Sequence, residues 1–269
     1  MPRRVLWLSL LLALPLVAGA VETTREAKGQ PSRAVSFETS DGFVLKGDLT
    51  SAADTRAPVA ILLHMYRSDR SAWAPLVPDL VAAGFTVLAF DQRAHGGSQQ
   101  RRGERVDVAS VPRAAFGQMV RDGVHDVEAA VRYLGEQGLA TDRIVLVGAS
   151  YGCSVSLLSA GEVAGVRALV LLSPGANYFG VDVVEFASGF AGPLLLVAAE
   201  DDRAAARSAR TLAARHQGAE DLEIYRSGGH GTHLFRPHPE LKQRIVEFAE
   251  KAVERAASPE STGPLQTRP

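Results

Sequence analysis

The spacing of apolar positions changes character after Thr50. Before it, two short β-rich runs, Ala34 to Thr39 and Val44 to Thr50, flank Ser40-Asp41-Gly42. Asp-Gly between two such runs predicts a hairpin. After it, short apolar runs alternate with stretches of helical spacing. Val59 to Leu63, Thr86 to Phe90, Ile144 to Val147, Ala168 to Leu172 and Leu194 to Ala198 are continuous apolar runs, and Leu222 to Tyr225 is a last short strand. Trp73 to Ala83, Val120 to Leu134, Ala204 to Arg215 and Leu241 to Ala256 carry the helical pattern, and a short helix fits Tyr178 to Phe186. Strands apolar throughout are buried on both faces, so the alternation predicts a parallel sheet with helices on either side. Ligands in such sheets bind beyond the carboxyl ends of the strands.

The ends of the chain carry other patterns. A basic start, Pro2-Arg3-Arg4, precedes the apolar run Val5 to Val17 and the small residues Ala18-Gly19-Ala20. That layout predicts a signal peptide over 1–20 and an exported protein, periplasmic or secreted. Residues 21–33 read as a linker, 34–257 as one domain, and 258–269, rich in Pro, Ser, Thr and Gly, as a frayed tail. No further apolar run is long enough to span a membrane, so the mature chain is expected without a span. A formal net charge of -1 and no basic stripe argue against a nucleic-acid partner. The single cysteine, Cys153, permits no intramolecular disulfide and argues against a structural zinc site. No cofactor or metal is expected, and the partner implied is a small-molecule substrate of a monomer or homodimer.

The chemistry concentrates just after the strands. Val145 to Val147 runs into Gly148-Ala149-Ser150-Tyr151-Gly152, a strand followed by a sharp Gly-x-Ser-x-Gly turn and a small-residue helix. Such a turn lifts the serine hydroxyl above the sheet and aims a helix N-terminus at the place where an oxyanion forms. A serine needs a base, and the base needs an acid to fix its tautomer. Glu200-Asp201-Asp202 follows the strand Leu194 to Ala198, and Gly229-His230-Gly231 follows Leu222 to Tyr225. His230 lies between two glycines and can approach closely, whereas His233 precedes Leu234-Phe235 on the way to the closing helix. Asp182 and Glu185 are further acid candidates. Cys153 reads as a buried, inert thiol, and His64 and His95 as ties between loops.

These residues, with Leu62-Leu63-His64 and Asp91-Gln92-Arg93-Ala94-His95-Gly96-Gly97-Ser98, resemble the α/β-hydrolase superfamily from the first strand to the last helix. The compact layout is similar to dienelactone-hydrolase-like proteins and small bacterial serine esterases. The resemblance implies an α/β-hydrolase fold, a mostly parallel eight-stranded sheet with helices on both faces and a minimal cap or none. It implies a serine hydrolase, carboxylesterase-like, with Ser150 as nucleophile, His230 as base and Asp202, favoured over Asp201, as acid. The oxyanion amides would be those of Tyr151 and of Met65 or Tyr66, where many relatives carry glycines instead. An ester, thioester, lactone or amide would pass through the same acyl-enzyme, and a binding protein without turnover would lack a member of the triad, which this chain retains. The short segment between Leu172 and Leu194 leaves room for no full cap, so an open site is expected. The arginine-rich loop Gln99 to Phe116 reads as a solvated rim.

If the leader is removed after Ala20, mass spectrometry of the exported protein will find Val21 at its N-terminus. An intact Met1 in a membrane fraction would contradict the reading.

Overall fold

The computed structural model describes residues 31–218 and 220–257. The expected leader over 1–20, most of the linker and the tail over 258–269 lie outside the described residues. The chain starts with a hairpin, β1 (Arg33–Glu38) and β2 (Phe43–Thr50), and continues through β3 (Val59–Leu63), α1 (Val77–Ala82) and β4 (Thr86–Phe90). A short hairpin follows, β5 (Gln100–Arg101) and β6 (Glu104–Arg105), then α2 (Phe116–Asp122), α3 (Val124–Glu136), β7 (Ile144–Ala149) and α4 (Tyr151–Glu162). The second half runs β8 (Val166–Leu172), β9 (Asn177–Tyr178), β10 (Val181–Asp182), α5 (Val184–Gly189), β11 (Leu194–Ala199), α6 (Arg203–Ala213), β12 (Glu220–Tyr225) and α7 (Glu240–Ala257).

The sheet order is β12-β11-β8-β7-β3-β4-β2, with β1 and the β5–β6 hairpin also paired to β2. From β3 onward the long strands are parallel, and β2 runs antiparallel to β4. Alternate residues of the central strands face opposite layers. Ile61, Leu63, Leu146, Leu171 and Leu196 pack with α2 to α6, whereas Leu62, Val147, Leu172 and Val197 pack under α1 and α7. Strand burial on both faces thus follows from the continuous apolar runs. It leaves the carboxyl ends of β3, β7, β8, β11 and β12 along one edge, with β7 between β3 and β8.

Three helical expectations need correction. Trp73 to Ala83 is not one helix: Asp69 caps a 3-10 turn over Arg70–Trp73, and α1 begins only at Val77, with Pro78 in its first turn. The helix expected from Val120 to Leu134 starts earlier and divides at Gly123, the residue type least suited to a helix interior after proline. Tyr178 to Phe186 does not form a helix throughout. Phe179 and Gly180, at φ +53° and +79°, make the tight turn of the β9–β10 hairpin, and Asp182 then caps α5 through the Val184 amide, 3.0 Å away.

The loop after β4 knits the site-bearing edge to the rest. Asp91 accepts from the Arg70 amide at 2.8 Å, the Arg70 guanidinium at 2.5 Å and the Gly97 amide at 2.7 Å. Arg93, only 2 % exposed, donates from its amide and Nε to fully buried Asp126 at 2.8 and 2.9 Å. It reaches both Asp41 oxygens in the first hairpin at 3.0 and 3.1 Å. His64, after β3, donates from Nδ1 to the Met65 carbonyl at 2.8 Å, and its Nε2 accepts from the Gln92 amide at 3.0 Å. Burial, and then the neighbouring His95, push the pKa of His64 down to about 3.

Two outcomes follow. Asp126→Ala leaves a buried guanidinium short of its main partner and should cost about 3–5 kcal/mol in denaturant unfolding; a loss within about 0.5 kcal/mol would contradict the clamp. The unfolded chain protonates His64 near 6.5, whereas the folded chain keeps it neutral down to about 3. Unfolding therefore takes up a proton in that window, and stability falls as the pH is lowered through it. His64→Gln should flatten the slope of unfolding free energy against pH there by up to about 1.4 kcal/mol per pH unit. An unchanged slope would exclude this source of acid lability.

Candidate active site

β7 delivers Ser150 into a strained turn. Its φ of +52° and ψ of -111° belong to a region that side-chain-bearing residues avoid. Its amide donates to the Leu172 carbonyl of β8 at 2.9 Å, and its carbonyl accepts from the Cys153 amide at 2.9 Å. The glycines flanking it are required by contact. A Cβ on Gly152 would stand 2.1 Å from the Leu63 carbonyl oxygen of β3, and one on Gly148 would stand 2.5 Å from the Gly152 carbonyl oxygen. α4 begins at Tyr151, so its first amides have no intrahelical partner and its positive end meets Ser150. Cys153 is buried one turn along, its thiol donating to the Gly148 and Leu172 carbonyls at 3.3 Å each, and burial pushes its pKa up.

The two adjacent acids after β11 do different things. Asp202 caps α6 through the Ala205 amide at 3.3 Å, and its other oxygen meets His230 Nδ1 at 2.5 Å. The cap and the partnership with histidine are held by one side chain. Asp201 accepts from the Gly228 and Gly229 amides at 3.0 and 3.2 Å and so holds the loop that carries His230. Those amides, Gly228 first, keep its carboxyl below the usual range. His233 lies exposed on the 3-10 turn Gly231–Phe235, and Asp182 is spent on capping α5. The His230 loop lies close to the elbow: a Cβ on Gly231 would meet the Met65 sulfur at 2.2 Å and the Ala149 side chain at 3.5 Å.

On the β3 flank, the Met65 carbonyl takes both the His64 ring donor at 2.8 Å and the Ser68 amide at 3.1 Å. The Tyr66 amide lies on the opposite edge of the same peptide plane. The Tyr66 ring joins Phe116, Phe179 and Tyr151, with centroids 5.4, 5.2 and 6.5 Å away, in an aromatic wall. The arginine-rich loop is engaged at the sheet edge, where Arg101 pairs with Asp41 and Arg105 with Asp107. Ser150 itself is only 7 % exposed.

Two residues on the β8 flank were not singled out from the sequence. Ser173 is fully buried at φ +53°, its amide donates to the Val197 carbonyl at 2.7 Å, and its Oγ accepts from the Gly231 amide at 2.8 Å. It thereby ties the His230 loop to the strand beside the elbow. The Tyr178 hydroxyl donates to the Ser173 carbonyl at 3.4 Å. Burial raises the Tyr178 pKa to about 12, and the Ser150 hydroxyl beside it acts in the opposite direction. The clue available in the sequence was Ser173 at the end of a buried strand, but only the strand order puts it next to Ser150. Among the described residues, no three His, Cys, Asp or Glu side chains are grouped to hold a metal ion.

Comparison with known proteins agrees with this architecture. The family model for the alpha/beta hydrolase fold matches residues 61–187. Epoxide hydrolase A of Mycobacterium tuberculosis is 34% identical over 125 residues, 45% of this chain and 34% of that protein. A polyketide transferase of Aspergillus fumigatus is 27% identical over 149 residues, 54% of this chain and 46% of that protein. The matched segments thus span less than half the length of these curated relatives. Among solved structures, the Pyrococcus furiosus esterase Pf2001 superposes with a TM-score of 0.66 at 22% identity, covering 83% of this chain and 93% of that one. A dienelactone hydrolase from Anabaena variabilis gives 0.66 at 18% identity, covering 84% and 99%. The mostly parallel sheet and the strand-to-helix elbow after β7, with the family match over the segment that contains this elbow, show that the chain has the α/β-hydrolase fold.

Proposed function

We propose that this protein is a serine hydrolase that cleaves a carboxylic ester, or a thioester or lactone, through an acyl-enzyme on Ser150. The observation that carries the reading is the 2.5 Å contact between His230 Nδ1 and Asp202, on a loop seated beside the strained elbow. With Nδ1–H donating to Asp202, Nε2 of His230 is left as the acceptor for the Ser150 proton. Ser150 Oγ then attacks the acyl carbon, and the oxyanion is met by the Tyr151 amide and one from the Met65-Tyr66 segment. The engaged Met65 carbonyl favours the amide of Tyr66 for that role. His230 returns the proton to the leaving oxygen, and water repeats the sequence to release the acid. The names of the similar proteins, an esterase, a dienelactone hydrolase and an epoxide hydrolase, agree with hydrolysis of a small molecule.

A fluorophosphonate probe and a panel of p-nitrophenyl esters test the reading. Wild type should be labelled and active, and Ser150→Ala should lose the label and at least about 1,000-fold in kcat. His230→Ala should be comparably inactive, while His233→Ala keeps activity within about threefold. Asp202→Asn should cost on the order of 1,000-fold or more, and Asp201→Asn about tenfold or less, because Asp201 only holds the loop. Near wild-type turnover by Ser150→Ala would sink the proposal, and so would absence of labelling in wild type.

A further inference from the structure

Tyr178 is a half-buried phenol beside the elbow that the steps above leave without a task. It rests on the tight β9–β10 turn, where Phe179 occupies a left-handed conformation that costs an aromatic residue strain. The strain is held by packing: the Phe179 ring lies 5.2 Å from Tyr66 and 5.0 Å from Phe116. The Tyr178 ring in turn covers Gly175, where a Cβ would stand 2.5 Å from it. The hairpin is thus braced so as to bring the Tyr178 hydroxyl to the Ser173 carbonyl, next to Ser150.

The sheet order sets the flank. β7 carries Ser150, β3 on one side carries the Met65-Tyr66 amides, and β8 on the other carries Ser173. Ser173 also holds Gly231, the residue after His230. Tyr178 and the His230 loop therefore share Ser173 as their anchor, one on its carbonyl and the other on its hydroxyl. At 3.4 Å the Tyr178 bond to Ser173 is long for O–H···O, where about 2.7–2.8 Å is usual, so the phenol hydroxyl can turn to a better acceptor.

We propose that Tyr178 is a catalytic residue of this serine-ester site, its hydroxyl hydrogen-bonding the departing alkoxide oxygen, and that the substrates are esters of aliphatic alcohols. The role rests on the hydrolytic reading above. As the acyl carbon–oxygen bond breaks, the bond to Ser150 Oγ is already in place and negative charge grows on the leaving oxygen. His230 Nε2–H supplies the proton to that oxygen, while Tyr178 donates a hydrogen bond and keeps its own proton. In the second half the same hydroxyl holds the attacking water. Such help matters for an alkoxide, a strong base, and hardly at all for a nitrophenolate, which leaves unaided.

The test compares ethyl butyrate with p-nitrophenyl butyrate, each followed as kcat/KM, which reports acylation for both. Tyr178→Phe keeps the ring and removes the hydroxyl. It should lower kcat/KM for the ethyl ester roughly 10- to 100-fold and for the nitrophenyl ester less than about threefold. Equal losses on both esters, or none on either, overturn the role and leave Ser150 hydrolysis standing. Wild type that cleaves neither ester overturns the hydrolytic reading, and the role of Tyr178 with it. Should the variant fail to fold, wild-type kcat/KM across butyrates of phenols and aliphatic alcohols reads the same property. A shallow dependence on the acidity of the alcohol supports the role, and a steep fall towards alkyl esters overturns it.

Discussion

A methyl group at position 152 would stand 2.1 Å from the carbonyl oxygen of Leu63, and this close approach governs the geometry of the site-bearing edge. Because α4 starts that near β3, the chain must turn sharply after Ala149, and the turn leaves Ser150 at φ +52°. The strain is sustained by regular bonds on either side: the Ser150 amide is fixed to β8 and its carbonyl to the first turn of α4. The turn sets the serine, the amide of Tyr151 and the helix dipole at one point. A looser contact between α4 and β3 would let the serine relax and would separate these groups.

Holding several loops at that point is a separate task, carried by buried charges. Asp91 fastens the loop after β4 to the turn at Arg70, and Arg93 fastens it to α3 and to the first hairpin. Arg93 and Asp126 are almost completely shut off from water, so each charge depends on the other, and the arrangement is costly to break in part. The Asp91 to Ser98 segment is thereby held against the sheet edge, with the His95 ring 5.9 Å from Tyr66 and 5.6 Å from Tyr151. His64 belongs to the same set of ties, neutral and engaged at both ring nitrogens.

The acid loop divides its work between neighbours. Asp201 faces the amides of Gly228 and Gly229, and Asp202 faces His230 and the start of α6. A helix cap and a partner for histidine need the same thing, a carboxylate at the end of a strand, so Asp202 serves both without conflict. Ser173 completes the support from the next strand. The histidine loop is thus held from β11 and from β8.

The sequence by itself determined the parallel sheet, because strands buried on both faces must be apolar at every position and helices must alternate with them. It also determined the elbow, whose glycines answer a local steric demand, and the order of serine, acid and histidine loops. Val59–Leu63 and Thr86–Phe90 were legible to the residue for that reason. Only the tertiary structure decided what depends on side-by-side order. That β8 lies beside β7 is not written in either strand, yet it alone brings Ser173 and Tyr178 to Ser150. The β9–β10 hairpin was hidden because a phenylalanine stands where the turn requires a positive φ, and its cost is met by aromatic packing from α2 and from the loop after β3. The different partners of Asp201 and Asp202 are likewise a matter of space: both follow β11, and the amides of the Gly228-Gly229 turn meet one while His230 meets the other.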